Sequence, residues 1–218
     1  MKIAILGGTG KFGKGLAARW LIRKHEVYIG SRRQEKAELA VKYVKEMLSR
    51  YGFYDLKLYP MLNKDAASGA EVIVLTIPYK GLDNIIDLIK DSVKGKVVVS
   101  PIVPLKFEDR KPLLISTLST SVAEYIAHKL DSYIVSALHT IPASKLIKLE
   151  EDIEGDVVVC GNEENAKKVV MKLVEDIPNL RALDGGSLRN SEIVEKLTYL
   201  IVEIGLRIKK PDLTLKFL

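Results

Sequence analysis

The sequence is poor in cysteine and in long apolar runs. Its one cysteine, Cys160, excludes an internal disulfide, and its Cys and His residues do not have the spacing of a zinc site. No apolar run approaches the roughly 18 residues that a membrane-spanning helix needs. The chain starts without the apolar segment of a signal peptide. We therefore expect a cytoplasmic protein that holds no metal and does not enter a membrane.

Side-chain amides are also scarce, while charged residues are plentiful and mixed in sign. The chain has one glutamine and six asparagines, which favours a thermophilic source. Its 34 basic and 28 acidic residues leave a net charge of +6, with both signs interspersed along the sequence. Because no basic stripe with aromatic platforms is present, we expect no nucleic-acid partner. A small anionic ligand accounts for the excess of positive charge.

Apolar strand patterns alternate with helical patterns through the first two thirds of the chain. Strands are predicted at residues 2–6, 26–30, 56–59, 71–75, 96–100 and 133–138. Helices are predicted at 12–23, 34–50, 81–92 and 122–130, the last with the capping-box pair Ser121 and Glu124. This alternation predicts an α/β fold with a Rossmann-type, doubly wound parallel sheet.

The pattern changes after about residue 141. Strands at 156–160 and 180–183, a helix at 164–175 and a long final helix follow. We therefore predict a Rossmann domain at 1–140 and a smaller C-terminal α/β domain at 141–218. The final helix has an apolar stripe that predicts a docking surface and makes a homodimer plausible; it consists of Ile193, Leu197, Leu200, Ile201, Ile204 and Ile208.

A glycine-rich loop follows the first strand and opens the first helix. It reads Gly8-Thr9-Gly10-Lys11-Phe12-Gly13, which matches G-x-G-x-x-G. In this strand–turn–helix context the glycines permit a tight turn and close approach of the backbone to a pyrophosphate. The helix N-terminus then supplies N–H groups to the phosphates. The loop predicts a dinucleotide site.

The tip of the second strand indicates which dinucleotide binds. A site for NAD would place Asp or Glu there, to bind the ribose 2′-hydroxyl. This chain has Ser31-Arg32-Arg33, with Lys36 one helical turn further on. A hydroxyl and guanidinium groups suit the 2′-phosphate of NADP. Lys36 either adds charge to that site or is a solvated helix residue.

Three further strand ends carry proline-containing segments that meet at one edge of the predicted sheet. They are Thr76-Ile77-Pro78-Tyr79, Ser100-Pro101-Ile102-Val103-Pro104 and Ala137-Leu138-His139-Thr140-Ile141-Pro142. Together they predict a mostly apolar pocket for a flat heterocycle. His139 either donates to a ring carbonyl, stacks on a ring or is structural. No carboxylate stands at these tips, so no general base is evident.

Tyr125 and Lys129 have the Y-x-x-x-K spacing of short-chain dehydrogenases. That family also needs its own glycine pattern and an Asn-Ala-Gly at the fourth strand, where this chain has Thr76-Ile77-Pro78. We therefore interpret the pair as a coincidence of helical spacing.

Taken together, these motifs resemble the archaeal coenzyme F420-dependent NADP reductases along essentially the whole chain. The matching segments are Gly7-Gly8-Thr9-Gly10, Gly13-Lys14-Gly15, Gly30-Ser31-Arg32-Arg33, Leu75-Thr76-Ile77-Pro78, Val98-Val99-Ser100-Pro101, Ser136-Ala137-Leu138-His139-Thr140-Ile141-Pro142-Ala143, Val159-Cys160-Gly161 and Lys216-Phe217-Leu218. The chain departs from the family in a longer segment at 43–63 and in Lys24, which replaces a glycine.

The resemblance implies reversible hydride transfer between reduced F420, an 8-hydroxy-5-deazaflavin, and NADP. It implies a dinucleotide site made by Gly8, Thr9, Gly10, Lys11, Phe12, Gly13, Ser31, Arg32, Arg33, Lys36, Ile77, Pro78 and Ala137. It implies a deazaflavin site made by Ser100, Pro101, Ile102, Val103, His139, Thr140, Ile141 and Pro142. The C-terminal domain would close the deazaflavin site and contribute to a dimer.

Two other functions stay open at this point. An NADPH-dependent flavin or ferric reductase would keep the dinucleotide site and use another acceptor. A non-catalytic NADP-binding sensor would bind without turnover and would not need the second, apolar pocket. The predicted pocket at 100–103 and 139–142 favours an enzyme.

Overall fold

The computed structural model describes residues 1–109, 111–115 and 120–218 of the 218-residue chain. The strands in these ranges are β1 (Lys2–Leu6), β2 (Glu26–Ser31), β3 (Leu58–Leu62), β4 (Val72–Leu75), β5 (Val97–Ser100), β6 (Leu105–Glu108), β7 (Lys111–Leu114), β8 (Tyr133–Ser136), β9 (Gly155–Gly161) and β10 (Leu180–Asp184). The α-helices are α1 (Lys11–Ile22), α2 (Gln34–Ser49), α3 (Asn63–Gly69), α4 (Leu82–Ile89), α5 (Val122–Lys129), α6 (Ala143–Ile147), α7 (Glu164–Glu175) and α8 (Ser191–Arg207).

Eight strands form one sheet in the order β10-β9-β8-β5-β4-β1-β2-β3. The six neighbouring strands β8, β5, β4, β1, β2 and β3 are all parallel, so their carboxyl ends lie at one edge. Helices α1, α2 and α7 cover one face and α3, α4 and α5 the other, each over a buried apolar cluster. This is the expected Rossmann-type α/β fold.

The C-terminal strands extend the same sheet. β9 pairs antiparallel with β8, Val135 opposite Gly161 and Ser136 opposite Cys160, and β10 is parallel to β9. Because β9 runs in the opposite direction to β8, its first residues lie at the carboxyl edge of the parallel strands. The predicted domain boundary between residues 140 and 141 falls within this continuous sheet and stays a prediction.

Arg19 of α1 fastens the segment around α6 to the first half of the chain. Its guanidinium is buried and donates to the carbonyl oxygens of Lys145 (3.3 Å), Leu146 (3.2 Å), Lys148 (2.7 Å) and Glu151 (3.1 Å). These carbonyls lie in the last turns of α6 and in the segment that follows it, where an α-helix runs out of N–H partners. The segment that follows His139 is thereby held against α1.

Short elements are the parts of the fold that the sequence patterns did not predict. The strand expected at 56–59 lies at Leu58–Leu62, at the sheet edge, where Pro60 is tolerated. Helices α3 and α6, of seven and five residues, and the hairpin β6–β7 were not expected. The strand expected at 133–138 ends at Ser136, since Leu138 has a φ of 70°.

Two local sequence features are accounted for by the backbone. Ser121 accepts a hydrogen bond on Oγ from the Glu124 N–H at 3.0 Å, which confirms the predicted cap of α5. Lys24, at the position where the resembling family has glycine, has a φ of 63°. The left-handed region favours glycine, so the departure carries a small conformational cost.

The apolar stripe predicted on the final helix does not dock on the rest of the chain. In α8 the residues facing inward are Ser191, Val194, Glu195, Thr198 and Gly205. Exposed fractions reach 66% for Ile193 and 49% for Leu200. The helix turns its smaller and more polar residues inward and leaves most of the stripe to solvent, so the predicted docking surface stays a prediction.

Among the helices of the described ranges, none combines the length and the apolar character that crossing a membrane requires. The cytoplasmic location and the absence of a nucleic-acid partner stay predictions.

We expect Arg19→Ala to lower the free energy of unfolding by about 3 kcal/mol, because several carbonyls lose a charged donor. Arg23→Ala is the control, since exposed Arg23 makes one such bond, to Asp176 O at 3.1 Å. Urea unfolding of both variants measures the difference. Equal losses would mean that the Arg19 clamp does not stabilise the fold.

Candidate functional site

The glycine loop makes the close backbone contacts that its motif predicts. The Gly8 N–H donates to Ile5 O (3.2 Å) and to Gly30 O (3.1 Å), which ties the loop to β1 and β2. A Cβ on Gly13 would lie 2.5 Å from the Gly8 Cα, so α1 packs directly on the loop. Around Gly10, by contrast, a Cβ would meet no atom of the described chain within 4 Å.

The first turn of α1 is available to an anion. Gly10 is the N-cap, and in the described structure the cap position makes no side-chain hydrogen bond and the first turn holds no acidic residue. Exposed Lys11 adds positive charge at the same turn. Free N–H groups and the helix dipole favour negative charge here. Thr9 and Gly10 stand at the entry to this turn.

The tip of β2 places its basic residues in solvent beside the loop. Ser31 is buried, and its Oγ accepts a hydrogen bond from the Arg33 N–H at 3.2 Å. Arg32, Arg33 and Lys36 are exposed. Ser31 thereby fixes the turn from which the two arginines project.

Asn63 is a loop-positioning residue that the sequence analysis missed. It is 2% exposed, and its Oδ1 accepts a hydrogen bond from the Gly7 N–H at 3.2 Å. It reaches the loop because β3 pairs with β2 and ends directly before it. The sequence analysis predicted neither the end of β3 nor the start of α3 at this residue, so it gave no signal for the role of Asn63.

A cavity of about 340 Å³ opens at the carboxyl edge next to the loop. Eight predicted site residues line it: Phe12, Ile77, Pro78, Pro101, Ile102, Val103, His139 and Ile141. Ser100, Ala137, Thr140 and Pro142 were also predicted but are not among the lining residues. The first three are buried, and Pro142 is the N-cap of α6. They support the wall from behind.

Seven further wall residues were not named as site residues, although Thr76, Tyr79 and Leu138 lie in the segments predicted to form the pocket. They are Leu75, Thr76, Tyr79, Leu105, Leu138, Ala143 and Thr198. Thr198 comes from α8, far along the chain, so strand-end reasoning could not find it. Leu105 comes from the unexpected hairpin. Thr76 Oγ1 donates to Leu6 O at 2.9 Å, which links β4 to β1 at the cavity floor.

His139 brings to this wall a buried nitrogen with unused hydrogen-bonding capacity. Its Nε2 lies 3.5 Å from Ser136 Oγ, while its Nδ1 is buried and has no hydrogen-bond partner in the described chain. Burial lowers the pKa of His139 to about 4, so the imidazole is neutral near pH 7. A buried nitrogen without a partner is costly unless a ligand satisfies it.

Titratable side chains are few in the cavity wall: among the described lining residues they are Tyr79 and His139. Among the described residues that line it, none is Asp, Glu, Lys or Cys. Tyr125 and Lys129 do not line it; the Tyr125 hydroxyl donates to Asp83 Oδ1 at 2.5 Å. A second cavity, of about 410 Å³, lies at the opposite sheet edge, beside Glu71 and Lys96, and includes none of the predicted site residues.

A family model and two sequence relatives place this chain in the same family. Residues 2–104 match the family described as NADP oxidoreductase, coenzyme F420-dependent. The F420-dependent NADP reductase of Methanocaldococcus jannaschii is 41% identical over 212 residues, which cover 96% of this chain and 94% of that protein. The enzyme of the same name from Methanothermobacter thermautotrophicus is 35% identical, covering 95% and 90%. The amide-poor composition is in keeping with thermophilic relatives.

The fold is also found in a solved structure. A crystal structure from Arthrobacter sp. FB24, itself only provisionally assigned as an F420-dependent NADP reductase, superimposes with a TM-score of 0.84. It covers 100% of this chain and 99% of its own, at 23% identity. At that identity the likeness supports the fold.

We expect Gly13→Ala to destabilise the protein and Gly10→Ala to leave its melting temperature nearly unchanged. The added methyl group overlaps the Gly8 backbone in the first variant and enters open space in the second. A loss of about 2 kcal/mol for Gly13→Ala corresponds to overpacking against rigid backbone. Thermal unfolding of the matched pair measures it, and equal melting temperatures would contradict the described packing.

Proposed function

The chain belongs to the family of coenzyme F420-dependent NADP oxidoreductases, and on that premise we propose how its own residues bring the two substrates together. The activity is hydride transfer between F420 and NADP. Our proposal concerns the site: NADP lies across the glycine loop and the tip of β2, and the two rings meet in the cavity at the carboxyl edge.

The dinucleotide part of the proposal rests on charge and on backbone access. The N-cap of α1 and exposed Lys11 hold the pyrophosphate, where Gly10 leaves the approach open. Arg32, with Ser31, binds the 2′-phosphate, and Arg33 and Lys36 raise the local positive potential. The absence of an acidic side chain from the tip of β2, residues 31–33, disfavours NAD.

The deazaflavin part rests on the cavity's apolar walls and on one orphaned nitrogen. Prolines and aliphatic side chains suit a flat ring system, and about 340 Å³ lies within the range of ligand pockets. The buried Nδ1 of His139 supplies a hydrogen bond that a ring substituent satisfies. Pro101, Ile102, Val103 and Ile141 hold the ring on the side of β5 and β8.

Phe12 carries the proposal, since it joins the two parts of the site. It stands in the first turn of α1, where the pyrophosphate binds, and it also lines the ring cavity. A nicotinamide that continues from a pyrophosphate at this turn therefore enters the cavity directly, beside Ile77 and Pro78.

The chain's contribution to the reaction is orientation and the exclusion of water. When bound, F420 and NADP supply two rings that exchange a hydride between carbon atoms. One proton, which leaves or joins a ring nitrogen of the deazaflavin, balances the reaction and exchanges with water. The hydride step itself needs no proton donor or acceptor from the described wall residues, none of which is a carboxylate. Holding two reactants in contact replaces much of the entropic part of the barrier, and the apolar walls keep water from the transferred hydride.

Anaerobic mixing of the protein with NADPH and oxidised F420 tests the activity directly. Loss of the deazaflavin's visible absorbance, reversed when NADP is added to reduced F420, is the expected result. Binding of NADPH without bleaching would contradict it. Mixing the protein and NADPH with a flavin or a ferric complex in parallel tests for the alternative reductase. A protein that binds NADPH and reduces none of these acceptors would be the NADP-binding sensor.

Arg32→Ala should raise the dissociation constant of NADP about ten- to a hundredfold and that of NAD hardly at all. Only NADP carries the phosphate that the guanidinium binds. Arg23→Ala, at the exposed C-cap of α1, is the matched control and should change neither constant. Calorimetric titration measures both ligands, and equal losses for NADP and NAD would contradict the assignment.

His139→Ala should raise the KM for F420 about tenfold while the dissociation constant of NADP stays within about twofold. The variant removes the nitrogen that we assign to the deazaflavin. His128→Ala, on the exposed side of α5, is the control. If both substrates are affected equally, His139 is structural.

We also propose a homodimer formed through α8. Its outward face carries Ile193, Leu200 and Ile204, and the neighbouring hairpin exposes Phe107 and Leu114. An exposed apolar surface of this kind is typical of a permanent contact between subunits.

Leu200→Asp combined with Ile204→Asp should convert the dimer to a monomer, because two charges would be buried in the contact. Leu39→Asp, at a more exposed apolar position on α2, is the control and should stay dimeric. Light scattering coupled to gel filtration measures the mass. A wild-type protein of 24.3 kDa in solution would overturn the proposal.

A further inference from the structure

The packing of α8 on the rest of the chain depends on few contacts. Ile193, Leu200 and Ile204 point outward, and its buried residues are small or polar apart from Val194. One of them, Glu195, is only 2% exposed. A buried carboxylate is retained in a packed region only where hydrogen bonds compensate its loss of water.

Glu195 bonds to the first turn of α5. Its Oε1 and Oε2 both lie 3.0 Å from the Val122 N, and Oε1 lies 3.2 Å from the Ala123 N. These N–H groups belong to the end of the helix where the dipole favours negative charge. Ser121 Oγ takes the next N–H, that of Glu124. The Glu195 side chain thus connects α8 to α5.

The same contact fixes a part of the ring cavity. Thr198 follows Glu195 by three residues, so the two lie on one face of α8. Thr198 is 5% exposed, its Oγ1 donates to Val194 O at 2.9 Å, and it lines the cavity. If α8 moves away from α5, the cavity loses this wall.

We propose that Glu195 is a positioning residue for the deazaflavin substrate, which holds α8 against α5 so that the helix closes the ring cavity. The inference rests on the proposed function, since it assigns the cavity to F420. Glu195 does not touch the rings; it acts through the placement of Thr198.

The position of Glu195 makes this contact dependent on pH. Burial raises the pKa of Glu195 to about 7, against the lowering effect of the Val122 and Ala123 N–H groups. Glu124 on α5 and Glu192 on α8 raise it further. Tyr79 also faces this charge. Arg189 and Lys111, on the other elements against α8, are exposed.

The direction of the effect follows from comparing the docked helix with an undocked one. An undocked, solvated Glu195 ionises in the ordinary glutamate range, near 4.5. The docked form therefore binds its proton more tightly, and docking is strongest below that range. It weakens as the pH rises towards about 7, where the docked form also ionises, and does not change above that.

The experiment compares three variants in the F420 assay, after turnover of F420 by the wild type has been established. Glu195→Ala removes the acceptor, and we expect the KM for F420 to rise about tenfold with the NADP dissociation constant within about twofold. Glu195→Gln keeps an amide oxygen for both N–H groups and restores the KM. Glu192→Ala, at a half-buried position one turn earlier on α8, is the control.

The pH profile separates positioning from general stabilisation. The ratio of the wild-type KM for F420 to that of Glu195→Gln cancels the titration of the substrates themselves. We expect this ratio to rise several-fold between pH 5 and about 7 and to stay level above. A flat ratio overturns the proposal, even if Glu195→Ala fails to fold. Equal effects of Glu195→Ala on F420 and NADP overturn it as well, and wild-type protein without F420 turnover refutes the proposed function instead.

Discussion

The parallel pairing of β1, β4, β5 and β8 is the constraint on which the rest of the site depends. Parallel strands end at one edge, so the glycine loop and the three proline-containing segments come together although they are far apart in sequence. Close packing of Gly13 on Gly8 then brings the first turn of α1 to the same edge. The proposed phosphate and ring sites are therefore neighbours, and Phe12 belongs to both.

The antiparallel β9 adds the last third of the chain to this arrangement. Because it starts at the carboxyl edge, the C-terminal tail also reaches that edge: Asp156 accepts hydrogen bonds from Arg181 and from the Phe217 N–H, and the Asp156 N–H donates to Leu215 O. The Arg181 guanidinium holds the pKa of Asp156 below its usual range, so this tie stays ionised near pH 7. Arg19 of α1 binds the segment around α6, and Glu195 of α8 binds the first turn of α5. Together with the Asp156 contacts, these polar interactions of buried groups hold the segments that surround the cavity.

The sequence predicted the features that depend on local pattern. The six parallel strands, the glycine loop and eight of the cavity-lining residues follow from periodicity and from strand ends, since strand period and turn residues are local properties. Helix α6 and the hairpin are too short to leave a periodic signal. Thr198 and Asn63 reach the site through tertiary pairing that no local pattern encodes. The outward stripe of α8 shows that an apolar face predicts a contact without saying which surface supplies the partner.

The central claim is that this wall aligns two rings for direct hydride transfer without a proton relay. It is tested most directly with NADPH carrying deuterium at one or the other of the two C4 positions, mixed anaerobically with oxidised F420, followed by mass analysis of the reduced deazaflavin and of the water. The account predicts that deuterium from one C4 position alone passes fully into reduced F420 and none into water, since a fixed cavity presents one face of the nicotinamide. Deuterium in the water, or transfer from both positions, would contradict it.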